Sequence, residues 1–226
     1  ATARVPSDRW GPPFEGISRA NTVLKLLAAT TDPTVTDDDK KRISAEAHFL
    51  RAHFYFELKK SFNNVPFIDE SKTSEEAVLI ANDRDIWPEI EADMKAAYDN
   101  LPETQPAIGR ANKWAAAAYL GKIYLYQKKW AEAKAKFDEV MANGKTTGGL
   151  KYALLPNYPD MFNAEFDNHA ESVFAVQAAA NTGSTGNANY DLVLNWPYNT
   201  GPEGPGNCCG FFQPSFELGN SFRVDA

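Results

Sequence analysis

The sequence predicts a mainly α-helical fold of stacked helical hairpins, followed by a long loop-rich region that contains one short strand. Residues 114–140 carry the pattern of two amphipathic helices joined by a turn too short for anything except an antiparallel pair. Three segments upstream repeat apolar residues at helical spacing. After Gly149 this periodicity is lost and Gly, Pro, Asn and Ser become frequent. We therefore expect a helical layer over 1–149 and a loop-rich, ligand-side region over 150–226.

The hairpin over 114–140 has the spacing of a tetratricopeptide repeat (TPR). Leu120, Gly121 and Tyr124 keep the L-G-x2-Y pattern of its first helix, and Ala133 and Phe137 keep the A-x3-F pattern of its second. Gly121 leaves room for a neighbouring backbone, while the larger side chains fill the space between the helices. One such hairpin cannot bury both of its faces, so other helices should stack on it.

The first two helices are predicted over residues 14–29 and 37–61. In the first, the apolar positions are Ile17, Ala20, Val23 or Leu24, and Leu27. In the second, the main stripe consists of Ile43, Ala47, Leu50, Phe54 and Leu58, and it is widened by Phe49, Ala52 and Phe56. A stripe this wide should be buried on two sides, which places the second helix in the middle of the stack. Thr36 and Asp39 resemble its capping box.

A segment without clear periodicity, residues 62–82, separates the second helix from a third over 84–101. Asn82 and Asp83 are expected to cap the third helix, and Pro88 is tolerated in its first turn. The hairpin then supplies the fourth and fifth helices, and Asn143-Gly144 should end the fifth.

The region after Gly149 contains one candidate strand, residues 172–178, and a loop from 181 to 210. A loop of that length is usually functional or disordered, and its aromatic residues favour an ordered loop. The loop and its C-terminal edge carry Tyr190, Asn195, Trp196, Tyr198 and Phe211. Exposed aromatic rings suit the apolar faces of sugars or peptide side chains, and an amide can bond hydroxyl groups. The alternative is that Trp196 and Phe211 only plug the loops onto the helical layer.

Composition and charge exclude several classes of protein. Of the residues, 43% are hydrophobic and 23% are charged, which is ordinary for a globular chain. A net charge of -7 argues against a nucleic-acid or anionic-membrane surface. No apolar run has the length of a membrane span, and the first residues lack a signal-peptide core. The adjacent Cys208 and Cys209 are either two thiols or a strained vicinal disulfide.

No motif indicates an enzyme, a metal site or a cofactor. His48 and His53 are five residues apart on a helix and cannot chelate one metal together. His53 shares a face with Glu57, but its apolar neighbours favour a packing role. The serines lack a nucleophile-elbow context, and no glycine-rich loop precedes a phosphate-binding lysine.

A resemblance to a known family covers nearly the whole chain in order. The run AEAHFLRAHFYFELKKSFNNVPFI, residues 45–68, resembles the A-E-A-R-F-L-R-A-x-x-Y-F-x-L-x-x-x-F-G-x-V-P motif of the SusD/RagB family of nutrient-binding outer-membrane lipoproteins. His48 stands where the motif usually has Arg, and we read Asn64 at its Gly. Further matching positions are Trp10, Ile17, Ala20, Asn21, Ile90, Asp93, Leu101-Pro102, Gly109-Arg110-Ala111, Lys129 to Ala133, Asn157-Tyr158, Phe162, Glu171, Val173 to Gln177, and Gln213 to Phe216.

The resemblance implies a function without catalysis. Such a protein would capture an oligosaccharide, or less often a peptide, on the cell surface and pass it to a SusC-like TonB-dependent outer-membrane transporter. The resemblance also implies an N-terminal lipid anchor, absent from this chain, and a C-terminal half beyond it. The family places binding aromatics partly in loops beside the helical layer, so Trp10 joins the candidate ligand-binding residues, although a structural cap is the alternative. Trp114 and Trp130, within the hairpin, are expected to pack.

A second hypothesis is that the TPR-like stack is itself a peptide-binding scaffold, with the loops incidental. TPR grooves bind extended peptides on a concave face. The small number of repeats and the long aromatic loops count against it. The sequence does not separate one glycan from another, because hydrogen bonds placed in three dimensions read sugar stereochemistry.

Overall fold

The computed structural model describes residues 4–177 and 216–221. Described residues up to Ala175 form one compact unit, while Val176, Gln177 and the last helix belong to a second. The helices are α1 (Arg4–Ala29), α2 (Asp37–Phe62), α3 (Ser74–Ala77), α4 (Trp87–Asn100), α5 (Lys113–Tyr126), α6 (Trp130–Asn143) and α7 (Phe216–Ser221). Two short 3-10 turns cover Tyr158–Phe162 and Ala164–Phe166. Over the described residues the fold is therefore helical, as predicted.

The helices of the first unit stack in chain order. Helix α2 packs against both α1 and α4, α4 packs against α5, and α5 pairs with α6. This arrangement confirms that the second long helix lies inside the stack. The segment 63–86, here called the insertion, connects α2 to α4 and contains the single-turn α3.

The main core lies on the face of α2 whose residues were predicted only to widen the main apolar stripe. Phe49, Ala52 and Phe56 are fully buried, and they meet α4 and α5 in one hydrophobic cluster. Leu50, placed in the main stripe, is 39% exposed. Together with Ile43 it lines an open groove between α1 and α2. The apolar pattern of α2 thus divides into a core face and a groove face.

The α5–α6 hairpin has the close approach that its sequence predicts. A Cβ atom added to Gly121 would lie 2.6 Å from the ring of Phe137, so only glycine fits against that ring without a shift. Trp114 is buried, as expected, but Trp130 is 61% exposed. The packing prediction for Trp130 is wrong, because this residue is the first of α6 and faces solvent.

Helix α1 is longer than predicted. It begins at Arg4 rather than near residue 14, and it continues through Pro12 and Pro13. Trp10 therefore lies within α1, not in the loop before it. Its ring packs 4.8 Å from that of Phe14 and 5.0 Å from that of Phe62 at the end of α2. These contacts join the first half of α1 to the core, which offsets the weak helical signal of the two prolines.

The helix ends follow the capping rules in most places. Thr36 accepts a hydrogen bond from the backbone of Asp39, as predicted, and Gly144 ends α6. Helix α4 starts at Trp87, later than predicted, with Ile86 at its cap position. Asn63 has a φ of 61° at the end of α2, so the glycine-like position of the motif is Asn63 and not Asn64.

The predicted strand over 172–178 is not formed in its described part, residues 172–177. Val173 and Phe174 pack instead against the helical core, where the ring of Phe174 lies 4.8 Å from that of Phe49. Alternating apolar residues can serve a loop that lies on helices as well as a strand, and here the helices provide the apolar partner.

Candidate ligand-binding region

The loop residues predicted to bind ligand lie outside the described part of the chain. They are Tyr190, Asn195, Trp196, Tyr198 and Phe211, and Cys208 and Cys209 fall in the same region. Their role stays a prediction. Trp10 is described, and 37% of its surface is exposed. Trp10 therefore packs as a structural residue would, while part of its surface stays exposed. The other predicted site residues lie outside the described part of the chain.

A buried polar network centred on Arg51 connects three helices and the insertion. The Arg51 guanidinium donates to both carboxylate oxygens of Asp93 in α4, at 2.7 Å and 2.8 Å. It also donates to the amide oxygen of Asn21 in α1, at 2.8 Å, and to Glu70 of the insertion, at 2.5 Å. The Arg51 side chain is only 5% exposed. A bidentate pair with this burial fixes the relative position of its elements.

His48 extends this network. Its Nδ1 lies 2.8 Å from the Asp93 carboxylate. Because an ionised carboxylate only accepts hydrogen bonds, the Nδ1 of His48 must carry the proton. His48 thus fits the polar cluster although the family motif usually has Arg there.

The insertion is held at both of its ends. Near its start, the Asn21 amide donates to the carbonyl of Ile68 at 2.9 Å. The hydroxyl of Tyr55 accepts from the Ile68 backbone N–H at 2.6 Å and donates to its carbonyl at 3.1 Å. Near its end, the buried Lys59 ammonium pairs with Asp85 at 2.9 Å. The segment between these anchors contains α3 and is mostly exposed.

The network shifts the pKa values of its charged members. Burial raises the pKa of Asp93, but hydrogen bonds from Arg51 and His48 lower it more, so it lies below its usual value of 3.8. Burial and the Arg51 bond act in the same opposed way on Glu70, whose pKa also lies below its usual value. For Arg51, burial is outweighed by Asp93 and Glu70, and its pKa is raised. All three groups are therefore charged at neutral pH.

We expect the network to be lost in acid. Because the folded-state pKa of Asp93 is depressed, its contribution to stability is present above the unfolded-state pKa, near 3.8, and falls as pH drops through the folded value. Urea unfolding of the wild type at pH values from 7 to 3 should show a steeper loss of stability below pH 4 than that of Asp93→Asn. Parallel profiles of the two proteins would contradict this prediction.

A pocket of about 320 Å³ lies between α1 and the first half of the insertion. Phe14, Ile17 and Ile68 supply apolar lining, and the polar lining residues are Ser18, Asn21, Thr22, Lys25, Asp69, Lys72, Thr73 and Ser74. Lys25 donates from its ammonium to the carbonyl of Lys72 at 3.0 Å, which ties the two walls together.

Two other cavities have different chemistry. The groove between α1 and α2 measures about 520 Å³ and is lined mainly by apolar side chains such as Val23, Ile43 and Phe54. A cavity of about 200 Å³ lies beside the turn at 146–150, with Val173 and Phe174 in its wall. The groove also carries Glu15 and Arg19 on its α1 wall and Glu46 on its α2 wall.

Among the described residues, no group of three or more His, Cys, Asp or Glu side chains is placed to hold a metal ion. His53 lies 2.6 Å through Nδ1 from the Tyr119 hydroxyl, and burial lowers its pKa. This packing role agrees with its sequence context. Within the part searched, no helix has the length and apolar character needed to cross a membrane.

Asn21, Arg51 and Asp93 are motif positions in the sequence, but no shared role was predicted for them. They come from three helices and lie 30 and 42 residues apart along the chain, so no local pattern connects them. One signal was available, because Arg51 falls within the widened apolar stripe of α2, where an arginine requires partners. The partners themselves follow only from the fold.

Comparison with known proteins gives a consistent family assignment. A family model described as SusD-like, starch-binding and associating with the outer membrane matches residues 2–125. A SusD-like protein of Bacteroides ovatus is 29% identical over 180 residues, which cover 76% of this chain and 32% of that protein. The chain thus spans about a third of the length of the curated relatives that it matches.

Solved structures show the same fold. A laminarin-binding SusD-like protein is 31% identical, with a TM-score of 0.63 over 75% of this chain and 37% of that chain. A structure described as containing a xylogluco-oligosaccharide is 27% identical, with a TM-score of 0.62 over 76% of this chain and 35% of that chain. The family match extends over more than half of the chain, from the first helix to α5. The chain belongs to the SusD-like family, and its helices α1 to α6 form the TPR-like N-terminal part of that fold.

Proposed function

We propose that this protein binds oligosaccharides at the outer membrane and delivers them to a SusC-like TonB-dependent transporter, without catalysing a reaction. The observation that carries this proposal is the family membership, together with fold similarity to a laminarin-binding protein and to a structure with a xylogluco-oligosaccharide. We place the protein on the extracellular face, attached by an N-terminal lipid.

Affinity would come from aromatic stacking and hydroxyl hydrogen bonds. Trp196, Tyr198, Tyr190 and Phe211 are the proposed platforms, and Asn195 is the proposed hydrogen-bonding partner. The helical layer would be the scaffold of the protein, because its core and its Arg51 network hold α1, α2, α4 and the insertion together.

Calorimetric titration of the chain with laminarin oligosaccharides, xyloglucan oligosaccharides and peptide digests tests the proposal. We expect binding to one glycan class, weakened in Trp196→Ala by about 1–3 kcal/mol, a scale taken from stacking of bases on aromatic side chains. Trp130→Ala is the matched control, since Trp130 is 61% exposed and belongs to the helical layer. It should bind like the wild type.

Three results would change the proposal. Equal binding by Trp196→Ala and the wild type would move the glycan site away from this loop. Binding of peptides but not of glycans would favour the peptide-uptake branch of the family. Binding of neither class would contradict the proposed function of this chain.

A further inference from the structure

The pocket between α1 and the insertion is lined by residues of the helical unit. Its first wall is α1, which contributes Ser18 and Lys25, and its second wall is residues 68–77 of the insertion. A helix, or a segment held by hydrogen bonds, positions side chains more accurately than a free loop does. Both walls of this pocket are therefore suited to a binding site.

Apolar and polar groups are divided within the pocket. Phe14, Ile17 and Ile68 give it an apolar base; Ile17 belongs to the core and Phe14 packs on it. The hydroxyls of Ser18 and Ser74, by contrast, make no hydrogen bond to other described residues. A ring with an apolar face and hydroxyls at its edge matches this division, and sugars have that form.

The charges in the pocket are mixed. Lys72 forms no hydrogen bond or ion pair through its ammonium group within the described residues, and Lys25 uses its ammonium for one carbonyl. Glu76 stands beside this pocket, and its pKa is lowered first by its hydrogen bonds with the backbone and side chain of Thr73 and further by the charges of Lys72 and Lys25. The two ammonium groups are therefore accompanied by the carboxylate of Asp69 in the pocket and by that of Glu76 beside it. Such a site offers strong donors and acceptors without net charge, which favours a neutral ligand over an anion.

The walls are fixed before a ligand arrives. Asn21 holds Ile68, and Lys25 holds the carbonyl of Lys72, across the junction of the two walls. Glu70, next to the lining residue Asp69, is bound by Arg51. Little ordering is then needed on binding, which favours affinity from few contacts.

We infer that this pocket is a second saccharide subsite, which takes one or two units of a neutral glycan through Lys25, Lys72, Ser18, Ser74 and Asp69. The inference rests on the proposed glycan-binding function and adds a location to it. The volume of about 320 Å³ lies at the lower end of the range for ligand sites, as expected for a short saccharide.

The test uses the full chain labelled with 15N and titrated with the neutral laminarin and xyloglucan oligosaccharides. We expect amide signals of residues 18–25 and 69–74 to shift with saturation, in addition to signals from 190–211. Ser18→Tyr places a ring in the pocket from an exposed position of α1, and Lys72→Ala removes a donor. Each should weaken the affinity measured from the shifts at 18–25 and 69–74 at least tenfold. The affinity measured from the shifts at 190–211 should stay unchanged.

Arg19→Tyr is the matched control, because Arg19 is the next residue and lines the groove on the other side of α1. It should behave like the wild type. Shifts confined to 190–211 would overturn the second subsite and leave the proposed function intact. No shift anywhere would contradict both. Tighter binding of oligogalacturonate than of the neutral oligosaccharides at this pocket would overturn the assignment of a neutral ligand.

Discussion

Replacing Arg51 with methionine should lower the free energy of unfolding by about 3–5 kcal/mol at pH 7, the cost of leaving a buried partner charge uncompensated. Methionine keeps much of the volume but removes every donor. Asp93 would lose both of its bonds to the guanidinium, and Asn21 and Glu70 would lose one each. Urea unfolding followed by circular dichroism measures the change.

Arg42→Met is the control for this variant. Arg42 also lies on α2 and pairs with Asp39 at 3.0 Å, but the two side chains are 33% and 41% exposed. The expected change is below about 1 kcal/mol. Equal losses in the two variants would show that the buried network contributes no more than a surface ion pair. Exchange of the Ile68 amide should also become faster in Arg51→Met, because the network helps to hold the insertion.

Phe56→Ala should be of similar severity, with a loss of about 3–5 kcal/mol. The Phe56 ring is fully buried and lies 5.7 Å from the ring of Trp87 in α4 and 4.9 Å from that of Tyr126 in α5. Its removal leaves a cavity where three helices meet, so the loss should include the transfer of the side chain and the cost of the cavity.

Phe162→Ala makes the same chemical change at a residue that is 72% exposed, and it should alter the free energy of unfolding by no more than about 0.5 kcal/mol. Denaturation of the two variants and the wild type, side by side, gives both values. A loss in Phe56→Ala that is as small as in Phe162→Ala would mean that the core repacks around the deleted ring.

The stack of helices was predictable because its signals are local. Thr36 caps the start of α2, and Gly121 and Phe137 keep the TPR spacing. The structure confirms both features. The errors have a different origin. Trp114 and Trp130 both stand near the start of a helix, yet one faces the stack and the other faces solvent. Which side of a helix receives a neighbour is decided by tertiary packing, and sequence spacing alone does not record it.

Longer-range features were harder still. The first helix was predicted to begin at residue 14, after the prolines at 12 and 13, but contacts of Trp10 with Phe14 and Phe62 hold the earlier turns against α2. Neighbouring residues did not exclude the strand predicted over 172–178. The core around Phe49, against which this segment packs instead, is more than 100 residues away in the sequence. The Arg51 network and the pocket beside α1 likewise depend on which helices become neighbours.

The anchoring of the insertion at both ends has a consequence for how such a protein can change. Ile68 and Glu70 are bound on one side and Asp85 on the other, so the chain between them begins and ends at fixed points of the helical layer. The entropy of closing a loop between fixed points grows only slowly with its length. Residues 71–84 can therefore be lengthened, shortened or replaced while the layer below keeps its packing. The insertion is therefore a place where the surface beside α1 can be replaced without rebuilding the scaffold.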